Sequence, residues 1–500
     1  MSAQELLDAP IAELAGAVAS GAVSAESVAQ ESLARIRRGS ELNALLTVSD
    51  TAALEAARGL DERRKRGETL GPLAGVPVAI KDALCTKDAP TTAGSKILTR
   101  RGADGRPSGP EAGFRPPYDA TAVERLRAAG ALLVGKANMD EFAMGSSGEN
   151  SAFGPAKSPL DPRYTPGGSS SGSAVAVAAR MTPAALGSDT GGSIRQPAAF
   201  CGIVGVKPSY GRVSRYGLIA FASSLDQIGP FARDVRSAAR VLEVIAGADP
   251  KDSTAAPVPV GSYVAACERD VRPLRVGVPE EYFAEGLDPE IGDAVKAALE
   301  RLAREGCSVR PVKLPHTRYG VATYYIVATA EASSNLARFD GVRFGLRVEP
   351  ERGDLSAMYG ATRDAGFGPE VKRRILLGTY VLSAGYYDAY YRRAQKARTL
   401  IRRDFEQAFA EVDVIAAPTS PTPAFRLGDK IDDPLAMYLA DVYTLPASLA
   451  GIAGITLPCG TTRATAERPA LPIGLQLLSP AFAEENLFTA AAAVERLVAA

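Results

Sequence analysis

An α/β fold, with a mixed central β-sheet flanked by helices on both faces, is what this sequence predicts, and three observations carry it. Apolar runs of strand length, bounded by Gly and Pro, recur along the chain: residues 76–80 (VPVAI), 131–135 (ALLVG) and 412–418 (VDVIAAP) are examples. Between them lie stretches of helical period with Ser or Asp before them and Gly after. No internal repeat or clear linker divides the 500 residues, so the whole chain, 1–500, reads as one large domain.

The elements follow in order. Residues 24–38 form an amphipathic helix capped by Ser24. Residues 42–48 form a short strand and 50–66 a second helix, whose charged end (DERRKR) suits the negative helix terminus. Residues 76–80 are a buried strand with Lys81 and Asp82 at its C-terminal end. The Gly-, Pro- and Arg-rich stretch 99–117 has no periodicity and reads as a mobile loop. A helix over 119–129, with Asp119 or Thr121 as its cap and Gly130 as its stop, precedes the strand 131–135. A helix at 234–246 precedes a Pro- and charge-rich stretch at 249–273, which reads as an excursion or lobe boundary. A strand (LRVGVP), a helix from Asp288-Pro289 to Arg304 and another strand (CSVRPVKL) come next. Residues 319–410 form a helical subregion, with helices at 319–337 and 369–409. It carries Tyr324, Tyr325, Tyr380, Tyr386, Tyr387, Tyr390 and Tyr391, expected as core or groove wall. Strands at 412–418, in LAGIAGITLPCG and in PIGLQLL, then a helix (ENLFTAAAAVERLV), close the chain.

Composition excludes several classes. The 57 basic and 57 acidic residues cancel, which removes a global electrostatic case for binding nucleic acid or an acidic membrane. Five dispersed cysteines (Cys85, Cys201, Cys267, Cys307, Cys459) form no C-x-x-C pair, so no disulfide framework or metal site is expected, and each should be a small buried hydrophobe. That usage fits a reducing, cytoplasmic setting. No signal peptide and no membrane span is expected. A single histidine, His316, leaves a Ser-His-Asp triad one choice of base and rules out a two-histidine metal site.

The chemistry concentrates in residues 165–202, inside a Ser/Gly-rich core at about 150–210. Two glycine-serine knots, 167–173 (GGSSSGS) and 190–193 (TGGS), flank a run rich in Ala and Val. A flexible linker would not enclose apolar residues that demand burial, and a phosphate loop would carry Lys before Ser/Thr, whereas no Lys lies between Lys157 and Lys207. Glycine pairs expose successive N–H groups that can meet an oxyanion, and a serine there can be a nucleophile. Its base must be His316, Lys, Asp or Glu. Lys81 suits the task, because burial at a strand end depresses a lysine pKa; the competing reading is a surface lysine at a loop start. Acyl transfer is the reaction class, and spacing alone does not select which serine acts.

Lys81, GGSSSGSA (167–174) and DTGGSIRQPAAFCGIVGVKPS (189–209) together resemble the amidase signature family. The resemblance implies a Ser-cisSer-Lys triad: Ser193 as the acylated nucleophile, Ser169 as the bridge and Lys81 as the base. Thr190, Gly191 and Gly192, with Ser193, would form the oxyanion hole. One departure is visible: Ser171 stands where the family usually has glycine, and a left-handed backbone there would carry a strain of roughly 1–2 kcal/mol.

Longer segments, among them DEFAMGSSGENSAFGPAKSP, SRYGLIAFASSLDQIGP and MYLADVYTLPASLAGIAGITLPCG, resemble the branch of that family that serves tRNA-dependent amidotransferases. That branch implies a glutaminase within a glutamine-hydrolysing ligase, a heterotrimer with two further components, B and C. Glutamine would be held by Tyr325, Arg374 and Asp441, with Tyr324 and Arg373 as the adjacent alternatives. The chain itself would hold no cofactor and no metal. The B component would use ATP and Mg2+ to amidate mischarged Glu-tRNA(Gln) or Asp-tRNA(Asn), and the C component would bridge the other two. A stand-alone amidase of small carboxamides and a catalytically silent scaffold are the competing expectations.

Overall fold

The apolar runs become one mixed sheet in the computed structural model, which describes residues 1–100, 102 and 107–499. Its strands are β1 (Leu45–Val48), β2 (Pro77–Lys81), β3 (Leu132–Ala137), β4 (Ala184–Asp189), β5 (Val204–Lys207), β6 (Gln227–Ala232), β7 (Arg275–Pro279), β8 (Ser308–Val312), β9 (Val414–Pro418), β10 (Ala453–Thr461) and β11 (Pro472–Ser479). They lie in the order β1-β3-β2-β4-β6-β5-β10-β11-β9-β7-β8. The triplets β3-β2-β4 and β9-β7-β8 run parallel, and the pairs between and beside them run antiparallel.

Period-two alternation gives the sheet two buried faces. In β9, Val414 and Ala416 enter one apolar core while Ile415 and Ala417 enter another. The first core is closed by Leu14 and Val18 of the helix Ile11–Ser20, Leu242 of Val235–Ile245, Val295 of Pro289–Arg304 and Phe488 of Glu484–Ala499. The second is closed by the helices Gly320–Asn335, Pro369–Leu382 and Arg393–Glu411 through Val327, Val371 and Phe405. Burying a side chain of this kind fully stabilises by about 1.5–3 kcal/mol, and helices on both faces are what such a sheet requires.

Several sequence expectations are corrected. The first strand starts at Leu45, because Ser40–Leu42 is a 3₁₀ turn ending on Asn43 at φ 49°. Neither Asp119 nor Thr121 caps the helix Thr121–Ala128, since the cap position is Ala120. Asp119 instead accepts the Lys87 N–H at 2.8 Å and pairs with Arg127 at 3.2 Å. The stretch 249–273 is no lobe boundary: its short helix Tyr263–Ala266 packs Tyr263 on Phe488. The helix expected over 369–409 breaks after Leu382, where Ser383 is extended at ψ 157°, and resumes through a π turn at Asp388–Arg392. Tyr324 and Tyr325 are buried, but Tyr380, Tyr386, Tyr387 and Tyr390 are exposed. Within 99–117, residues 101 and 103–106 lie outside the described residues; the described flanks are pinned, with Arg100 N–H on Ala112 O and Phe114 N–H on Leu98 O.

Candidate active site

The site begins where two parallel strands end together. β2 and β4 are neighbours in register, Ile80 opposite Leu186, so Lys81 emerges beside Ser188 and Asp189. Lys81 is fully buried. Its Nζ lies 2.7 Å from Ser169 Oγ, 2.9 Å from Ser170 Oγ and 3.3 Å from Ser188 O. Burial pushes its pKa down to about 7, against the opposing pull of Asp140, Asp189 and Asp226. A large fraction of the amine is therefore neutral at neutral pH and able to take a proton.

Both glycine-serine knots feed this point. The peptide bond between Gly168 and Ser169 is cis, and Ser170 leads into the helix Ser171–Ala178. Ser170 Oγ donates to Ser188 O at 3.0 Å and accepts the Ser188 N–H at 3.2 Å, tying the first knot to β4. The second knot follows β4 directly. Ser193 is 7% exposed, and its carbonyl accepts the Ser170 N–H at 3.2 Å. Its Oγ has no hydrogen bond among the described residues, so Lys81 and Ser169 are in direct contact while Ser193 sits on the adjoining turn with its hydroxyl free. Ser171 has no left-handed backbone, which removes the expected strain. The demand for glycine falls on Gly172, where a Cβ would collide with the Ala44 carbonyl and the Asn138 N–H.

The turn 190–193 is held open from outside. Thr190 Oγ1 donates to Asp226 at 2.6 Å. Thr444 Oγ1 donates to Gly191 O at 2.6 Å. Asp189 accepts from Ile194 N–H and, in a paired fork, from Nε and Nη2 of Arg195, both at 3.0 Å. Both ions are fully buried, and Arg195 also reaches Ser448 at 2.9 Å and Gln476 at 3.3 Å. Gln196 links the knots, accepting Gly168 N–H at 3.0 Å and donating to Ser146 O at 2.7 Å. The N–H groups of Gly191, Gly192 and Ser193 donate to no acceptor among the described residues. Three successive free donors in a braced turn are suited to a developing oxyanion. Neither glycine tolerates a side chain: a Cβ on Gly191 would lie 2.7 Å from Tyr324 Cζ, and one on Gly192 would lie 3.0 Å from Asp441 Oδ1.

Asp441 thus faces the turn. Its Oδ2 accepts the Ser146 hydroxyl, while Oδ1 is buried and unpartnered. Burial pushes its pKa up to about 7. Arg374, also buried, is boxed by rings: its Cζ lies 5.2 Å from the Tyr325 centroid, 5.4 Å from Tyr438 and 5.6 Å from Phe221. Its Nε donates to Glu370 at 2.7 Å. Arg373 is half exposed and pairs with the other oxygen of Glu370. Tyr324 faces Gly191, and Tyr325 faces Arg374. A cavity of about 470 Å3 opens beside them, lined by Gly145, Ser147, Glu370, Arg374 and Tyr438 among others. This vestibule includes Gly145 and Ser147, which flank the Ser146 that donates to Asp441, and its lining does not reach Ser193.

His316 takes no part in this cluster: its Nδ1 lies 2.8 Å from Asp404. All five cysteines are buried. Among the described residues no cluster of His, Cys, Asp and Glu could hold a metal ion, and no helix is long and apolar enough to cross a membrane. Sequence reasoning missed Ser170, Asp189, Arg195, Asp226, Thr444 and Glu370. Only Ser170 and the Asp189/Arg195 pair carried a local signal, as immediate neighbours of the knots.

A buried lysine under two serine turns suits acyl transfer, and the family model described as Amidase matches residues 27–488, so the chain belongs to that amidase family. Within it, the chain is 59% identical over 457 residues to the A-subunit of glutamyl-tRNA(Gln) amidotransferase from Acidobacterium capsulatum, covering 91% of this chain and 92% of that one. The solved A-subunit of the same enzyme from Thermotoga maritima superposes with a TM-score of 0.76 at 39% identity, covering 99% of this chain and 94% of that one. Native peptide amidase from Stenotrophomonas maltophilia has a TM-score of 0.79 at 32% identity, covering 99% and 97%.

Proposed function

We propose that the chain is the glutaminase component of a tRNA-dependent amidotransferase. The observation that carries this reading is the unpartnered Oδ1 of Asp441, set against the oxyanion turn, in a molecule whose vestibule is lined by Arg374. A free buried carboxylate oxygen calls for a cation, and a boxed guanidinium calls for a carboxylate. Together they suit the α-ammonium and α-carboxylate of glutamine, with its γ-carboxamide directed at Ser193. A neutral amide needs neither group, which weighs against a stand-alone amidase of simple carboxamides.

Neutral Lys81 takes the proton of Ser169, and Ser169 takes that of Ser193. Ser193 Oγ then adds to the γ-carbonyl carbon. The N–H groups of Gly191, Gly192 and Ser193 receive the negative oxygen, and each such donor is worth about 3–4 kcal/mol of barrier. Collapse breaks the C–N bond, and the proton held by Lys81 returns through Ser169 to the departing nitrogen as ammonia. Water, activated by the same relay, cleaves the acyl ester to glutamate. Tyr325 backs the Arg374 guanidinium, its ring centroid 5.2 Å from Cζ.

The ammonia passes to the B component, which uses ATP and Mg2+ to amidate Glu-tRNA(Gln) or Asp-tRNA(Asn), and the C component bridges the other two. This chain holds no cofactor of its own. The 59% identity to an A-subunit of glutamyl-tRNA(Gln) amidotransferase supports a place in a multi-subunit amidotransferase. A Ser193→Ala chain, assembled with B and C, should lose at least about 10³-fold of glutamine-supported amidation while keeping ammonia-supported amidation. Glutamine use by that variant overturns the reading.

A further inference from the structure

Arg374 cannot select a carboxylate by its charge alone. A flexible arginine among aromatic rings has many rotamers, and its flat faces are attracted to the rings themselves. Its two Nη groups have no hydrogen-bond partner among the described residues. Only its Nε is held, by Glu370 Oε1 at 2.7 Å. The same oxygen accepts the Tyr438 hydroxyl at 2.9 Å, and Oε2 pairs with Arg373. Glu370 is buried, one turn before Arg374 on the helix Pro369–Leu382. Tyr438 lies on the separate helix Pro434–Leu439, stacks on Tyr325 with ring centroids 3.8 Å apart, and precedes Asp441 by three residues. One carboxylate therefore fixes Arg374 from behind and fastens to it the segment that carries the ammonium receptor.

We propose that Glu370 is the positioning residue that makes this pocket select an α-amino acid. Anchored at Nε, the guanidinium presents its Nη edge to the vestibule, the edge that accepts a carboxylate in a two-point grip. Through Tyr438, the same anchor sets the spacing between the carboxylate and ammonium receptors. The inference rests on glutamine being the substrate. It adds a specificity determinant that contacts none of the reacting atoms.

Glu370→Gln is the test variant. Its amide oxygen still accepts from Arg374 and Tyr438, but the charge is gone and its NH2 group opposes Arg373. In the complex with B and C, its KM for glutamine should rise about tenfold with kcat within about twofold, because ground-state and transition-state binding are lost together. Hydrolysis of γ-aminobutyramide, which is glutamine without its α-carboxylate, should keep its kcat/KM. A milder Tyr438→Phe variant, which keeps the stacking on Tyr325, should raise the glutamine KM about two- to threefold. It serves as the deciding variant if Glu370→Gln fails to assemble. An unchanged glutamine KM overturns the proposal. An equal loss on both substrates also overturns it, since that marks general loosening rather than carboxylate selection. A wild-type complex that releases no ammonia from glutamine refutes the underlying reading instead.

Discussion

At the scale of single residues, two protonation states bear on the proposed reaction. Lys81 is pushed down to about 7 by burial, so its neutral, proton-accepting form grows as pH rises through 7. Asp441 is pushed up to about 7 by burial, so its carboxylate form, the one the proposed ammonium contact requires, also grows as pH rises through 7. Both titrations therefore favour the same side. For the free enzyme, log kcat/KM for glutamine should fall with acid at a slope approaching about 2 below pH ~6. Asp441→Asn should reduce that slope to about 1 while raising KM; a profile with the wild-type slope would dissociate Asp441 from substrate binding. Lys81, Ser169 and Ser193 were named through the family resemblance of the motifs that hold them, since spacing alone did not select among the serines, and the structure brings Lys81 and Ser169 together from 88 residues apart. Asp226 and Thr444 were not. Each meets the oxyanion turn across a long stretch of chain, Thr190 to Asp226 and Gly191 to Thr444, and no periodicity or spacing encodes such a meeting. Glu370 escaped for the same reason, since its task shows only once Tyr438 has been folded against it.

At the scale of elements, the substrate end of the site depends on how closely two helices approach. Tyr325 belongs to Gly320–Asn335 and Arg374 to Pro369–Leu382. The contact is made at Gly378, where a Cβ would run into the Thr329 carbonyl and lie 2.9 Å from Ser333 Cβ. Gly378→Ala should force the helices apart, costing about 1–3 kcal/mol in denaturant unfolding and raising the glutamine KM several-fold. An alanine variant with unaltered stability and KM would show that the spacing is not set there. Strands and most helices were readable because apolar period and capping agree, as at Ser24, whose hydroxyl accepts the Ser27 N–H at 3.1 Å. The break after Leu382 was not, because the helix ends where Ser383 turns extended, at ψ 157°, a residue type that carries no stop signal of its own.

At the scale of the whole molecule, the balanced charge has a direct consequence. Phosphate binding is driven by neutralising cations, and 57 acidic residues offset 57 basic ones. The isolated chain should bind tRNA no more tightly than about 10 μM at ~150 mM salt, measured by fluorescence anisotropy, with affinity appearing only when the partner components are added. Tight binding by this chain alone would move tRNA recognition onto it. The mixed sheet was foreseen, but its strand order was not, since order depends on which distant runs pair. That order also sets when the enzyme comes alive. Arg195, which braces the oxyanion turn, is itself held by Ser448 and by Gln476 of β11, near the end of the chain. A ribosome that has translated the first half of the message has already made the base, the bridge and the nucleophile, yet the brace has no far anchor and the ammonium receptor does not exist. A polypeptide not yet extended past Gln476 therefore lacks the far anchors of the Arg195 brace.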